Sequence, residues 1–131
     1  MAAFTRAIAT RFPRRTATVE ISYAPGDGDE FEAISATATL REMSGADRAR
    51  FAQTVFYEKA DGTRRVDELA AQAGLVARCW IDPETGKRNY GDDEVEQLAQ
   101  DLPASVVGKL AEAAQRLNGL GAAATETAEK N

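Results

Sequence analysis

The sequence predicts a mainly helical α+β domain, with an N-terminal β-hairpin followed by about four α-helices. Two observations predict it: polar and apolar residues alternate in two early segments, and later segments repeat apolar residues every three or four positions. With 131 residues, 44% of them hydrophobic, the chain has the size of one ordinary domain. We expect a single α+β domain over 16–120, made of the hairpin (16–42) and a helical part (44–120), between a basic, partly mobile arm (1–15) and a flexible tail (121–131).

The hairpin is predicted by alternation on both sides of a turn-rich run. On the first strand the side chains of one face are apolar or aromatic: Ala17, Val19, Ile21 and Tyr23. The second strand has the same pattern, with an apolar face formed by Ile34, Ala36, Ala38 and Leu40. Between them, Gly26 and Gly28 stand among acidic residues, which favours a hairpin tip over a phosphate-binding loop. Two strands alone are marginal, so helices or another subunit must cover them.

The first helices are predicted by a capping residue and by an apolar stripe. Ser44 precedes Asp47 at the spacing of a helix N-terminus, and this helix should run to about Tyr57, before Asp61-Gly62 stops it. The strongest periodic signal in the chain follows, at Val66, Leu69, Ala70, Ala73, Val76, Ala77 and Trp80. It predicts a second helix of about three turns.

Turn-forming residues separate the last two helices from these. Pro83 and Gly86 end a helix and allow a tight turn. Acidic residues at 92–94 favour a helix start, and its stripe is Val95, Leu98, Ala99 and Leu102. Pro103 marks either a kink or the first turn of a last helix, and an Asn-Gly pair closes that helix. The stripe of this last helix is Val106, Val107, Leu110, Ala111, Ala114 and Leu117.

The composition excludes most common kinds of catalytic site. The chain has no histidine and one cysteine, Cys79, so it cannot form a Ser-His-Asp or Cys-His device, a Cys/His zinc site or an internal disulfide. A lone cysteine fits a reducing cytosol. The net charge of −5 disfavours nonspecific binding to nucleic acid or anionic lipid, and no apolar run approaches the roughly 18 residues of a membrane span. We therefore expect a soluble protein that is not an enzyme, needs no cofactor and works with a protein partner.

Two charged clusters have plain structural explanations. Five residues with side-chain oxygens, the atoms that bind calcium, lie close together in one connecting segment: Asp82, Glu84, Asn89, Asp92 and Asp93. Lys87, however, falls where an EF-hand requires glycine, so a turn and a helix start explain this cluster better and no metal site is expected. The first 19 residues carry four arginines and no acid. Because Pro13 interrupts any long amphipathic helix, we interpret them as a basic arm rather than a targeting peptide.

Large side chains near the end of the first helix leave two explanations open. Four of them cover more than one helix face: Phe51, Val55, Phe56 and Tyr57. Core packing and a partner surface explain them equally well. The Leu/Ala stripes of the last two helices are likewise suited to packing within or between chains. Cys79 and Trp80 are expected in the core or an interface, not at a reactive thiol site.

From Val66 to Leu120 the order of short motifs is distinctive. A helix ending in Val-Ala-Arg-Cys-Trp-Ile-Asp (76–82) leads through Glu-Thr-Gly-Lys-Arg (84–88) to Tyr-Gly-Asp-Asp-Glu-Val (90–95), Leu-Pro-Ala (102–104) and Leu-Asn-Gly-Leu (117–120). In this order the motifs resemble the tail assembly chaperones of long-tailed, siphovirus-type bacteriophages. The upstream hairpin and the helix beginning at Ser44 are compatible with that family, so the resemblance covers most of the chain.

The resemblance implies a non-enzymatic role in the host cell cytoplasm. Such chaperones coat the long, aggregation-prone tape measure protein, associate with one another, help recruit tail tube subunits and are absent from the finished virion. We therefore expect a tape measure protein and a tail tube protein as partners, and a homo-oligomer. The stripes of the last two helices should form part of a groove or subunit contact, at Val95, Leu98, Leu102, Val106, Leu110 and Leu117. The alternative function is a structural virion component, such as a tail tube or head–tail adaptor protein.

Overall fold

The computed structural model describes residues 2–24 and 33–120. Its elements, in chain order, are α1 (Arg6–Ala9), β1 (Thr16–Tyr23), β2 (Ile34–Arg41), α2 (Gly45–Val55), β3 (Phe56–Glu58), β4 (Arg64–Val66), a π-helical turn (Ala70–Gly74), α3 (Leu75–Cys79), β5 (Trp80–Ile81), a 3₁₀ turn (Asp92–Glu94), α4 (Val95–Asp101) and α5 (Ala104–Leu117). Helices and antiparallel sheets both contribute, so the predicted α+β class is confirmed. The expected hairpin tip with Gly26 and Gly28 and the expected flexible tail over 121–131 lie outside the described residues.

The predicted hairpin forms most of the larger sheet, whose strand order is β1-β2-β5 with all neighbours antiparallel. Val19 lies opposite Ala38 and Ala17 opposite Leu40, so the apolar sides predicted for the two strands share one face. Leu40 is fully buried there, whereas Ile34, at the other end of β2, is 62% exposed. The helices therefore cover the end of β2 that pairs with β5.

Helix α5 covers the apolar face of this sheet. It contacts β1 and β2 on one side and α3 on the other, while α4 contacts the π-helical turn. The large side chains with the least solvent contact come from all of these layers: Leu40, Leu75, Val76, Leu98 and Leu110. Burial of apolar surface, worth about 25 cal/mol per Å², is the main force that holds the helices on the sheet.

Helix α2 begins as predicted and ends earlier than predicted. Ser44 Oγ accepts a hydrogen bond from the Asp47 backbone N–H at 3.1 Å, which satisfies one of the free donors of the first turn. The helix that was expected to reach Tyr57 stops at Val55, because Phe56 and Tyr57 are extended and belong to β3.

A second, short hairpin explains that early end. Strand β3 pairs with β4, and Asp61 and Gly62 lie in the turn between them. Gly62 has a φ of +87°, which other residues rarely adopt, and Asp61 Oδ1 accepts hydrogen bonds from the Thr63 backbone N–H at 3.0 Å and the Thr63 hydroxyl at 2.6 Å. The interpretation of Asp61-Gly62 as only a helix stop is therefore wrong, since an Asp-Gly turn between two extended segments makes a hairpin.

The strongest predicted stripe is helical only in its middle. The chain is helical over 68–79, where the π-helical turn runs into α3. Val66 lies in β4 and Trp80 in β5, so the predicted helix is too long at both ends. Both residues are extended because they pair with distant strands, Val66 with Phe56 and Trp80 with Leu40. Such tertiary pairing overrides the local helical pattern.

The predicted boundaries of the C-terminal helices are confirmed. Gly119 has a φ of +69° in the turn that ends α5, as the sequence predicts. The expectation that Pro83 and Gly86 end a helix is wrong, because α3 ends at Cys79 and Gly86, with a φ of +71°, lies in a turn that follows β5 and joins Ile81 to Arg88. The Pro103 carbonyl accepts hydrogen bonds from the N–H groups of Val106 and Val107, both at 3.0 Å. Pro103 therefore belongs to the start of α5 and is not a kink inside a longer helix.

Asn118 joins four parts of the fold. Its Oδ1 accepts a hydrogen bond from the Met43 backbone N–H at 2.8 Å, and its Nδ2 donates to the Ala114 carbonyl at 2.7 Å and to the Cys79 sulfur at 3.3 Å. The Asn118 carbonyl accepts a hydrogen bond from the Arg48 guanidinium at 2.9 Å. Because the side chain is buried, water does not compete for these bonds. The end of α5 is thus attached to the β2–α2 connection, to α2 and to α3.

The basic arm contacts the domain at its last two residues. The Arg15 backbone N–H donates to Glu42 Oε1 at 2.7 Å, and the Arg15 guanidinium donates to the Leu117 carbonyl at 3.1 Å. Arg14 lies 3.7 Å from the Asp47 carboxylate. The backbone hydrogen bond from Arg15, helped by the charges of both arginines, holds the pKa of Glu42 below its ordinary value. Partial mobility of the arm stays a prediction.

A buried arginine lies between two acids. Arg78 is 8% exposed, and its guanidinium lies 3.9 Å from the Asp47 carboxylate and 3.4 Å from that of Asp92. Arg88 lies 2.7 Å from the same Asp92 oxygen and donates to the Ala77 carbonyl at 2.7 Å. Burial raises the pKa of Asp92, but contact with Arg88 and the charge of Arg78 outweigh it, so this pKa lies below its ordinary value.

The substitution Asp92→Asn should therefore cost stability at neutral pH and not in acid. Because the pKa of Asp92 is depressed in the folded state, its stabilising charge is fully present above the unfolded value and is lost as the pH falls through the folded value. We expect the urea midpoint of Asp92→Asn to lie below that of the wild type at neutral pH and to approach it below the ordinary aspartate pKa of 3.8. Asp93→Asn removes the same charge from the neighbouring residue and is the control. Identical pH curves for the two variants would contradict this role of Asp92.

Candidate functional site

The six stripe residues expected to bind a partner do not form one open groove. Leu98 and Leu110, with 0% and 1% exposure, belong to the core. The other four are half-buried and pack against that core: Val95, Leu102, Val106 and Leu117. The reason is that α4 and α5 turn their stripes towards the π-helical turn, α3 and the sheet. Leu98 and Leu110 are therefore core positions in this fold, and the partner role expected for the stripe stays a prediction.

A different apolar groove opens on the surface. It lies between α2, the start of β3, the helical residues 71–75 and the chain just after α5, and its volume is about 250 Å³. Its apolar walls are Phe51, Ala52, Val55, Phe56, Ala71, Leu75 and Leu120. Arg48 and Gln115 are its polar members. A concave apolar surface with few polar groups suits the apolar side chains of another segment.

Large apolar side chains remain exposed beside this groove. Phe56 is 44% exposed and Val66 is 45% exposed, and the two face each other across the β3–β4 hairpin. Exposed apolar groups that cluster in this way mark a surface where another molecule can bind.

Arginines stand at the margin of the groove. The Arg64 guanidinium carbon lies 5.3 Å from the centre of the Phe56 ring, at the distance of a cation–π contact. Arg48 lines the groove and is held in place by its hydrogen bond to the Asn118 carbonyl. This margin is basic although the whole chain carries a net charge of −5. The groove therefore favours an apolar segment that has acidic neighbours.

The large side chains near the end of α2 have two explanations from the sequence, core packing and a partner surface, and the structure divides the residues between them. Val55 is buried and Phe51 is half-buried, so these two contribute to the core and to the groove wall. Phe56 and Tyr57 are exposed, because the chain leaves the helix and enters β3 at that point. Both explanations therefore apply, each to a different pair of residues.

Other site chemistry has little support in the part of the chain that the structure describes. Burial raises the pKa of the Cys79 thiol, against the opposing effect of the hydrogen bond from Asn118, so little reactive thiolate forms at neutral pH. Within 2–24 and 33–120, no three His, Cys, Asp or Glu side chains are grouped so that they could bind a metal ion. Over the same residues, no helix has both the length and the apolar character that a membrane crossing requires.

Comparisons with known proteins give no match. No protein-family model, curated protein or solved structure matches this chain.

The sequence does not reveal this groove, because its walls come from three segments that are distant in the chain. One signal in the sequence points to it. The Asp61-Gly62 pair is a hairpin signal, and it would have taken Phe56 and Tyr57 out of the helix. If these two residues lie on a strand, packing of the helix against the core does not explain why their side chains are large and apolar. A contact with another molecule at the surface is then the better explanation.

Proposed function

We propose that this protein is a non-enzymatic tail assembly chaperone, which binds and solubilises a tape measure protein and helps recruit tail tube subunits while a long phage tail is built. The order of motifs from Val66 to Leu120 supports the family. The observation that carries the binding activity is the apolar groove, with Phe56 and Val66 exposed beside it. A long, aggregation-prone partner needs its apolar segments covered, and this groove offers a concave apolar surface that can cover one.

The proposed contact is helix in groove. An amphipathic segment of the tape measure protein places apolar side chains, spaced three and four residues apart, against Phe51, Ala52 and Phe56. Acidic residues that flank this segment meet Arg48 and Arg64 at the margin. The net charge of −5 keeps the complexes apart from one another, because like charges repel.

Co-expression with the tape measure protein from the same genome tests this function. We expect the tape measure protein to be soluble, and to co-purify with this chain, only when both are present. A tape measure protein that aggregates while this chain stays unbound would contradict the proposal. It would favour the alternative of a structural virion component, which purified particles would contain and from which a chaperone would be absent.

The substitution Ala52→Glu tests the groove itself. Ala52 is exposed on α2 and lines the groove, so a glutamate there places a carboxylate among apolar walls while the helix is kept. We expect the amount of soluble tape measure protein that co-purifies to fall by roughly tenfold or more, which corresponds to about 1.4 kcal/mol of lost contact.

Gln53→Glu is the matched control for this test. It adds the same charge to the next residue of α2, which is exposed and does not line the groove. We expect this variant to bind as the wild type does. If both variants bound equally well, or both lost binding to the same extent, the groove would not be the contact surface.

A further inference from the structure

Strand β1 has an open edge in the part of the chain that the structure describes. The sheet order places β2 on one side of β1 and no strand on the other. The Glu42 N–H donates to the Arg15 carbonyl at 2.8 Å, so odd-numbered residues of β1 bond to β2 and even-numbered ones direct their N–H and C=O groups outward. Over its eight residues β1 has no proline and keeps a regular register with β2. An extended segment of another chain can pair with such an edge.

An open cleft lies between this edge and α5. Its volume is about 620 Å³, within the range of ligand-binding clefts. Ala17 and Val19 of β1 line one side, Ala113 and Leu117 of α5 line the other, and all four are half-buried. Side chains alternate between the two faces of a sheet. A strand added beside β1 therefore directs every second side chain into this cleft.

The free charges on the α5 side of the cleft are positive. Lys109 and Arg116 of α5 line it, and both are exposed. Arg15 also lines it, but its guanidinium is already bound to the Glu42 carboxylate. The acid in the lining, Glu20, is an exposed, even-numbered residue of β1, so its side chain lies on the sheet face opposite α5.

Neither cation of α5 is strongly neutralised within the chain. The Arg116 guanidinium lies 3.7 Å from the Glu112 carboxylate, and the two side chains are 72% and 69% exposed. An exposed pair of this kind contributes at most about 1 kcal/mol. Lys109 forms no salt bridge among the described residues. A negatively charged ligand in the cleft therefore gains attraction from both cations.

We propose that the β1 edge binds an extended, acidic segment of another protein, which adds a strand to the larger sheet. The backbone of this segment pairs with the outward groups of Thr16, Thr18, Glu20 and Ser22. Its acidic side chains enter the cleft and meet Lys109. The site is separate from the apolar groove and does not depend on the proposed function.

The spacing of the two cations sets the pattern that the segment needs. Lys109 and Arg116 are seven residues apart on α5, a rise of about 10.5 Å, and Ala113 lies between them. On a strand, residues four apart are separated by about 13 Å, and the long side chains of lysine and arginine can cover the difference. We therefore expect two acids four residues apart, with an apolar residue midway between them that packs against Ala113.

A peptide fits this edge better than a nucleic acid does. The edge presents both N–H donors and C=O acceptors, and an extended peptide backbone satisfies both, whereas a phosphate group only accepts hydrogen bonds. The net charge of −5 also opposes a long polyanion. A segment with two acids needs only the two local cations.

Fluorescence anisotropy with a labelled peptide tests the site on the full chain. The probe, Thr-Glu-Thr-Val-Thr-Glu-Thr, has the expected pattern, and the matched control peptide has lysine in place of each glutamate. We expect the acidic peptide to bind with a Kd of roughly 100 μM, and the basic peptide to show no saturation below about 1 mM. No binding of the acidic peptide at that concentration, or equal binding of the two peptides, would overturn the proposal.

A double variant tests the role of charge. Lys109→Gln with Arg116→Gln removes both cations from the cleft, and the control, Lys59→Gln with Lys87→Gln, removes two exposed lysines outside it. We expect the Kd of the acidic peptide to rise at least roughly tenfold for the first variant and to stay unchanged for the control. Equal weakening by both would show that only the net charge matters, and the proposed site would be wrong.

Thr18→Pro tests the backbone pairing. It removes an N–H that β2 does not use, and proline is tolerated on such an edge, so the circular dichroism spectrum should be unchanged. We expect the acidic peptide to bind at least roughly tenfold more weakly. Unchanged binding would overturn the proposal. So would a wild-type dimer in sedimentation equilibrium that Thr18→Pro dissociates, or single-stranded DNA that binds the cleft as tightly as the acidic peptide does.

Discussion

Replacing Leu110 by alanine should lower the free energy of unfolding by roughly 2–5 kcal/mol. Leu110 is 1% exposed and lies in α5, which contacts the sheet on one side and α3 on the other. Alanine removes methyl groups from a closely packed interior and leaves a cavity that the neighbouring elements can only partly fill. For a protein of this size, such a loss is a large part of the total stability. Urea unfolding followed by circular dichroism measures it.

Leu69→Ala is the matched control for this experiment. It makes the same chemical change at a helical position that is 46% exposed, so little apolar surface returns to water. We expect its urea midpoint to stay close to that of the wild type. If Leu110→Ala proved no more destabilising than Leu69→Ala, Leu110 would not be a core residue, and its expected role on a partner surface would regain support.

The second large effect is expected at Asn118, the residue that attaches the end of α5 to three other parts of the fold. Asn118→Ala leaves the Met43 N–H without its acceptor and the Ala114 carbonyl without its side-chain donor, both in a buried place. Stranded buried polar groups and lost hydrogen bonds together should cost roughly 2–4 kcal/mol of unfolding free energy. Thermal and urea unfolding of the variant give this cost.

An exposed asparagine supplies the comparison. Asn89→Ala removes the same amide from the surface connector after β5, where water can replace any contact that is lost, and we expect a change within about 0.5 kcal/mol. If Asn89→Ala and Asn118→Ala lowered the free energy of unfolding equally, the buried hydrogen bonds of Asn118 would add no stability beyond that of hydrogen bonds to water.

The structure gives the closing Leu-Asn-Gly-Leu motif a physical role: Leu117 and Leu120 pack on the core, and Gly119 supplies the positive φ.

Local signals in the sequence predicted local structure well. Ser44 caps α2, Gly119 turns the chain after α5, and Pro103 begins α5, because each of these outcomes depends on backbone chemistry within a few residues. The alternation that predicted the first hairpin agrees with its register, because Val19 of the predicted apolar face of β1 lies opposite Ala38 of the predicted apolar face of β2. The α+β class follows from these elements together.

Long-range contacts account for what the sequence did not predict. Val66 and Trp80 fit a helical stripe, but each pairs with a strand at least 10 residues away in sequence, and no local pattern reports such a partner. Leu98 and Leu110 are buried, but the sequence did not show this. Periodicity shows that one face of a helix is apolar and does not show whether the core or a partner covers that face. The groove was missed for the same reason, because its walls meet only in the folded chain.

Photo-cross-linking from the groove tests the central claim most directly. A benzophenone amino acid at position 52 of α2, in this chain co-expressed with the tape measure protein, reacts only with what lies within reach of the groove. We predict a covalent adduct with the tape measure protein from position 52, and much less adduct from position 53, on the same helix outside the groove. A complex that forms and yet gives no adduct from position 52, or gives equal adducts from both positions, would contradict the proposal that this groove binds the tape measure protein.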